Sequence, residues 1–150
     1  MSLLNTLSDE LKAAMRAKDT LKLEALRAIK SAVLLAKTAT AGDVELTEEE
    51  EIKLLQKLVK QRKDSASIFR SQNRDDLAAP EDAQAEVIGK FLPEQLSPDD
   101  IEKIIDQIIA QSGAQGMKDM GKVMGMASKE MAGKADGKTI STLVKQKLTD

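Results

Sequence analysis

Leu92-Pro93-Glu94-Gln95-Leu96-Ser97-Pro98 divides this chain. Two prolines within six residues push the residues before them out of the α region, so a helix arriving from either side must stop. Ser97 followed by Pro98 is a restart signal. The hydroxyl can accept an orphan amide of the next helix, and proline presets φ at its first position. Outward from this stretch, apolar residues recur at helical spacing, and no segment alternates as a half-buried strand would. The reading is an all-α chain: an N-terminal helical domain of about four helices over 1–91, a linker at 92–97, and a three-helix bundle over 98–150.

Upstream, Leu4, Leu7, Leu11, Ala14 and Met15 form one stripe that ends near Lys18-Asp19. Asp19 can cap a second helix carrying Leu26, Ile29, Val33 and Ala36 inward. After the break at 39–43, Thr47 and Glu50 have capping-box spacing, and Glu48 to Glu51 lie where the helix dipole favours acids. The third helix is expected over roughly 48–73, with Ile52, Leu55, Val59, Ala66 and Phe69 toward a core. A fourth follows the break at Asn73–Asp76 and carries Leu77, Val87, Ile88 and Phe91, with Pro80 expected in its first turn. Downstream, Ile101, Ile104, Ile105, Ile108 and Ile109 make a fifth helical stripe that Ser112-Gly113 stops. A sixth helix carries Met117, Met120, Met124, Ala127 and Met131 to Gly133. Asp136 can cap the seventh, with Ile140, Leu143, Val144 and Leu148 inward.

Composition narrows the chemistry. With 150 residues the chain can bury one good core or two small ones. It has no His, Cys, Trp or Tyr, and two Phe. That removes thiolate chemistry, His-based triads and the preferred zinc ligands, and leaves no aromatic platform for stacking single-stranded bases. No cofactor, metal or catalytic residue is expected. No stretch reaches the ~20 apolar residues of a membrane span, and the first residues reach Asp9 and Glu10 without a signal-peptide core. The expected location is cytoplasmic.

The net charge of −2 hides segregation. From Lys53 to Arg74 seven bases face one acid, Asp64, leaving +6; from Ala114 to Leu148 seven lysines face three acids, leaving +4. Such segments can make phosphate-binding faces on a slightly acidic protein, or they can be ordinary solvated surface. Gly121 and Gly125 sit one turn apart near the methionine stripe. A helical glycine costs ~1 kcal/mol relative to alanine, so a pair suggests close approach by another backbone, whether a sister helix or an RNA. Five of the seven methionines lie between Met117 and Met131, a pattern that reads as core or as a partner surface.

Gly133-Lys134-Ala135-Asp136-Gly137-Lys138-Thr139 imitates a phosphate loop but is one residue short between its glycines and lacks a preceding strand. Helix punctuation accounts for it better. The paired acids Asp75-Asp76 and Asp99-Asp100 lie at expected helix starts and read as capping charges.

An ordered set of strings then marks a family. Ala25-Leu26-Arg27-Ala28-Ile29-Lys30-Ser31-Ala32, Gln61-Arg62-Lys63-Asp64-Ser65 and Arg74-Asp75-Asp76-Leu77-Ala78 precede Leu92–Ser97. Met120-Gly121-Lys122-Val123-Met124 and Gly133–Lys138 follow it. The chain resembles the stand-alone GatB/YqeY family over essentially its whole length. Residues 120–148 also resemble the C-terminal tail of the B subunit of aspartyl/glutamyl-tRNA amidotransferase. Ala78-Ala79-Pro80 departs from the charged continuous helix more usual in the family.

The resemblance implies a helical N-terminal domain, a three-helix C-terminal domain and tRNA as partner. It also implies association with an amidotransferase or tRNA synthetase complex, and a filing under carbon–nitrogen ligases with glutamine as amide donor. The chain lacks the large parts that would carry that catalysis. The expected function is therefore a tRNA-binding helical accessory protein, with a protein–protein adaptor or an amidotransferase component as alternatives. Lys118, Lys122, Lys134 and Lys138 would contact phosphate, with Gly121, Gly125 and Gly133 permitting close approach. Lys60, Arg62, Lys63, Arg70 and Arg74 would form a second surface.

Overall fold

A computed structural model describes residues 3–40, 42 and 44–149. Among them are seven α-helices, a single 3₁₀ turn and no strand: α1 (Leu3–Ala17), α2 (Thr20–Ala39), α3 (Glu48–Ser71), α4 (Asp75–Gly89), α5 (Pro98–Ser112), the turn Met117–Asp119, α6 (Met120–Glu130) and α7 (Gly137–Thr149). The chain is all-α, as its periodicity predicts. It divides into two compact units between Leu92 and Pro93.

In the first unit the helix ends are set by local hydrogen bonds. Lys18 takes a left-handed φ of 55°. Its amide donates to the Met15 carbonyl at 3.2 Å, and the Asp19 amide donates to Ala14 at 3.0 Å. That bond pair terminates α1 as a Schellman motif. Asp19 then accepts the Lys22 amide at 3.1 Å and opens α2. Thr47 forms the expected capping box: its Oγ1 accepts from the Glu50 amide at 3.2 Å while its own amide donates to Glu50 Oε2 at 2.8 Å. A second Schellman motif, with Asn73 at φ 59°, ends α3 at Ser71 and turns the chain into α4. Because α4 starts at Asp75, Pro80 lies inside it and not in its first turn. The carbonyl it deprives of a partner, that of Asp76, belongs to an exposed residue, so water can serve it.

α1 packs on α2, α2 on α4, and α4 runs along α3. Leu7, Leu26, Ile29, Val33, Leu55 and Ile88 are fully enclosed, flanked by Leu4, Leu58, Val59 and Phe91. Full burial of each such side chain is worth ~1.5–3 kcal/mol. The stripe edges are less buried than their spacing implies. Met15 is 58% exposed and Leu77 39%, because α1 has α2 as its main neighbour and the buried line of α4 runs through Ala78, Ala85 and Ile88. Phe69 is half-buried.

The second unit opens with Ser97 Oγ accepting the Asp100 amide at 3.2 Å, with Pro98 at the first helical position of α5. Gly113, at φ 69°, ends that helix by donating to the Ile109 carbonyl at 3.1 Å. Ile101, Ile105, Ile108, Val123, Ala127, Met131, Ile140, Val144 and Leu148 make the core. The sixth helix is shorter than the methionine spacing suggests. It starts at Met120 after the 3₁₀ turn, where Asp119 Oδ2 accepts the Gln115 amide at 2.9 Å, and it ends at Glu130. The methionines serve mostly as core: Met131 is fully buried and Met120 and Met124 pack beside it, while Met117 and Met126 stay exposed.

Within segment 93–97, Gln95 Nε2 donates to the carbonyls of Pro93 (2.7 Å) and Gly133 (2.8 Å). The Leu96 amide donates to Lys134 O at 2.9 Å. The stretch thereby lies against the turn between α6 and α7. No helix is long and apolar enough to cross a membrane among the described residues.

Candidate nucleic-acid interface

The core side of α6 is Val123 and Ala127. On a 3.6-residue helix, the positions opposite them are Gly121, Lys122, Gly125 and Lys129, and Lys118 of the 3₁₀ turn continues the line. All five are exposed. A Cβ added at Gly121 or Gly125 would meet nothing within 4 Å. The sister-helix explanation for this pair is therefore removed: among the described residues, no neighbouring element requires glycine at either position. What remains is a flat strip of exposed helix backbone bordered by three lysines.

Lys122 reaches the carboxyl end of α5, its Nζ 3.5 Å from the Ser112 carbonyl oxygen. Lys118 and Lys129 make no ion pair among the described residues. Lys129 belongs to none of the sequence motifs. Its signal is its position seven residues after Lys122, two turns along the same face.

Lys134 and Lys138 are exposed on the turn into α7 and on its first turn. Lys145, also exposed and seven residues after Lys138, extends that line away from the buried Ile140, Val144 and Leu148. Gly133, at φ 77°, sits in the left-handed region that favours glycine and shapes the turn.

Lys147 has a different job. Its Nζ lies 2.7 Å from Glu102 and 3.2 Å from Asp106 on α5. Hydrogen bonds from this amine to the two carboxylates, Glu102 first and Asp106 second, hold its pKa above the usual lysine value. This amine closes α7 onto α5 and is already matched. The remaining charge of the unit is segregated: residues 94–106 carry five acids and one lysine, and 117–149 carry seven lysines and three acids.

The basic run on α3 is not gathered in this way. Arg62 donates through Nε to Gln84 Oε1 at 3.0 Å and through Nη1 to the Leu58 carbonyl at 3.3 Å. Arg70 is paired with Asp82. Arg74 makes two 3.0 Å bonds to Asp76, whose carboxyl is held below the usual aspartate range by that guanidinium. Lys53 pairs with Glu49 at 2.8 Å. α4 lies along α3, where Asp82 neutralises Arg70 and Gln84 occupies Arg62 without changing its charge. Lys57 and Lys63 remain exposed and Lys60 is half-exposed. The spacing of bases alone does not disclose the partners of Arg62 and Arg70, because Gln84 and Asp82 belong to the next helix.

The paired acids behave as helix-start charges. Asp99 and Asp100 occupy the first turn of α5, and Asp75 and Asp76 that of α4. No group of three or more Asp or Glu is arranged to hold a metal ion among the described residues.

The family model described as Yqey-like protein matches residues 4–148. A glutamyl-tRNA(Gln) amidotransferase subunit of Thermococcus gammatolerans is 39% identical over 75 residues, which is 47% of this chain and 12% of that protein. "Altered inheritance of mitochondria protein 41, mitochondrial" of Saccharomyces cerevisiae is 30% identical over 142 residues, covering 91% of this chain and 71% of that one. Its counterpart from Meyerozyma guilliermondii is 37% identical over 129 residues, 82% and 65% of the two chains. The chain thus spans a small fraction of the amidotransferase subunit and about two thirds of the yeast proteins. With a match from residue 4 to residue 148, the protein belongs to the YqeY-like family.

Proposed function

We propose that this protein is a tRNA-binding helical accessory factor, acting beside an amidotransferase or tRNA synthetase complex that carries the chemistry. One observation supports the reading above others: the outward face of α6 sets Gly121 and Gly125 in open space between Lys118, Lys122 and Lys129. Two glycines in a helix forgo roughly 1–2 kcal/mol of helix stability, and nothing inside the second unit recovers it. A sugar–phosphate backbone lying on that strip would, with the lysine amines meeting phosphates. Lys134 and Lys138 would add contacts beside it. The chain offers no aromatic stack, so recognition would be of shape and phosphate. The name of the Thermococcus relative, a glutamyl-tRNA(Gln) amidotransferase subunit, agrees with this class of partner, as does the family's filing with glutamine-dependent carbon–nitrogen ligases. A cytoplasmic site of action goes with this reading.

Binding of deacylated tRNA measured by fluorescence anisotropy at 50 and 200 mM salt tests it. Saturable binding with a steep salt slope is expected, and replacing Lys118, Lys122, Lys129 and Lys138 together by glutamine should flatten that slope by about three to four. Salt-insensitive binding, or none near micromolar, would overturn the proposal.

A second reading, a protein adaptor independent of RNA, draws on Leu34 and Leu35 of α2, which are 44% and 72% exposed. A stoichiometric protein partner that survives nuclease treatment would favour it.

A further inference from the structure

The turn that follows α6 holds Lys134 and leads, three residues later, into α7 with Lys138 in its first turn. It contains a left-handed glycine, Gly133, whose backbone has many alternatives to the observed conformation. Within the turn, the Lys134 and Ala135 amides both bond to the Met131 carbonyl, at 3.0 and 3.2 Å. From outside it, two donors of segment 93–97 hold consecutive carbonyls: Gln95 Nε2 on Gly133 (2.8 Å) and the Leu96 amide on Lys134 (2.9 Å). Gln95 Nε2 also donates to the Pro93 carbonyl at 2.7 Å, so the one amide nitrogen is engaged on both sides. A single exposed side chain thus bridges the proline-bounded stretch and the basic turn. Its geometry is set by the rigid backbone that Pro93 imposes.

We propose that Gln95 is a positioning residue for the RNA-binding face: by holding the Gly133 carbonyl it fixes the backbone from which Lys134 meets phosphate. This rests on the tRNA-binding reading above. Without that hold the turn's alternative conformations carry Lys134 away from the phosphate, so the contact and the counterion it releases are lost together, although Gln95 itself touches no RNA. Coupling of this kind is reciprocal, so bound RNA protects the Gln95 bridge in turn.

The test compares the wild-type chain with Gln95→Met, Lys134→Gln and the double variant, using labelled tRNA and anisotropy at 50 and 200 mM salt. Methionine keeps the length of the side chain and removes both donors; Gln95→Ala serves as a second variant. Each lost phosphate contact should shrink the ratio of Kd values at the two salts by about threefold. Gln95→Met is expected to do this as Lys134→Gln does, and the double variant to do no more than either single one. Amide exchange at Lys134 and Ala135 should rise in Gln95→Met in the absence of RNA. A purely structural role would leave the salt slope unchanged. Wild-type slope in Gln95→Met, or effects that multiply in the double variant, would overturn the positioning role while tRNA binding stood. Absence of salt-sensitive binding by the wild-type chain would overturn both.

Discussion

Replacing Gly121 and Gly125 together by alanine should move stability and binding in opposite directions. Both positions lie inside α6, and an added Cβ finds nothing within 4 Å at either. Steric cost is therefore absent, and each substitution should gain ~0.5–1 kcal/mol of helix stability. The sum, roughly 1–2 kcal/mol on a unit of this size, raises its melting temperature by about 5–15 °C. If a sugar–phosphate backbone lies on that strip, the two methyl groups hold it off, and tRNA affinity should fall by about tenfold, or ~1.4 kcal/mol. Thermal melts by circular dichroism and anisotropy titrations read the two quantities on one preparation. Ser128→Ala, exposed between the same lysines, controls for nonspecific change. A gain in stability with binding unaltered within twofold would refute the role assigned to the glycines. A loss of stability would refute the open face itself.

Other substitutions test the local physics. Lys18→Gly should stabilise the first unit by about 0.5–1 kcal/mol in urea unfolding, because Lys18 occupies a left-handed φ of 55° that glycine adopts without a Cβ penalty. An unchanged midpoint would deny that strain. Lys147→Met should lower the melting temperature of the second unit by releasing α7 from Glu102 and Asp106. Its pKa is raised in the folded state, so its contribution is fully present below the ordinary lysine value and is lost as pH climbs through the raised one. The gap between wild type and variant should hold from neutral pH to about 10 and close above it; a gap that has already closed by about pH 9 would contradict the sign. Glu51→Gln should stabilise the first unit slightly at pH 7, since burial holds this carboxyl above the usual glutamate range. The difference should vanish as wild-type Glu51 becomes protonated on acidification, and a difference that grew toward acid would reverse the assignment.

Much of the architecture can be read from spacing because its signals are local. Thr47 with Glu50, Ser97 with Pro98, and Ser112-Gly113 each act through hydrogen bonds within one helical turn, and each stands where its residue types predict. The ends at Lys18 and Asn73 are legible only as breaks. Neither carries the glycine that announces a left-handed cap, yet both close Schellman motifs. Pro80 falls outside the first turn of α4 because the start of that helix depends on the Asn73 turn and on packing against α3, which no window of the sequence contains.

The candidate site divides along the same line. The α6 face follows from helical periodicity, and the same rule reaches Lys129. The α3 bases cannot be judged from their own helix, since Asp82 of α4 neutralises Arg70 and Gln84 of α4 occupies Arg62. Gln95 carries no chemical signal of its own; its significance lies in a partner 38 positions away in sequence.

Lysine acylation of the full chain with and without saturating tRNA, read by mass spectrometry, probes the tRNA-binding face without altering a single residue. Strong protection is expected at Lys118, Lys122, Lys129, Lys134 and Lys138, with unchanged labelling at Lys147, which α5 already holds, and at Lys53, which pairs with Glu49. Protection centred on Lys57 and Lys63 with the α6 lysines fully labelled, or no protection anywhere, would contradict a tRNA site on α6.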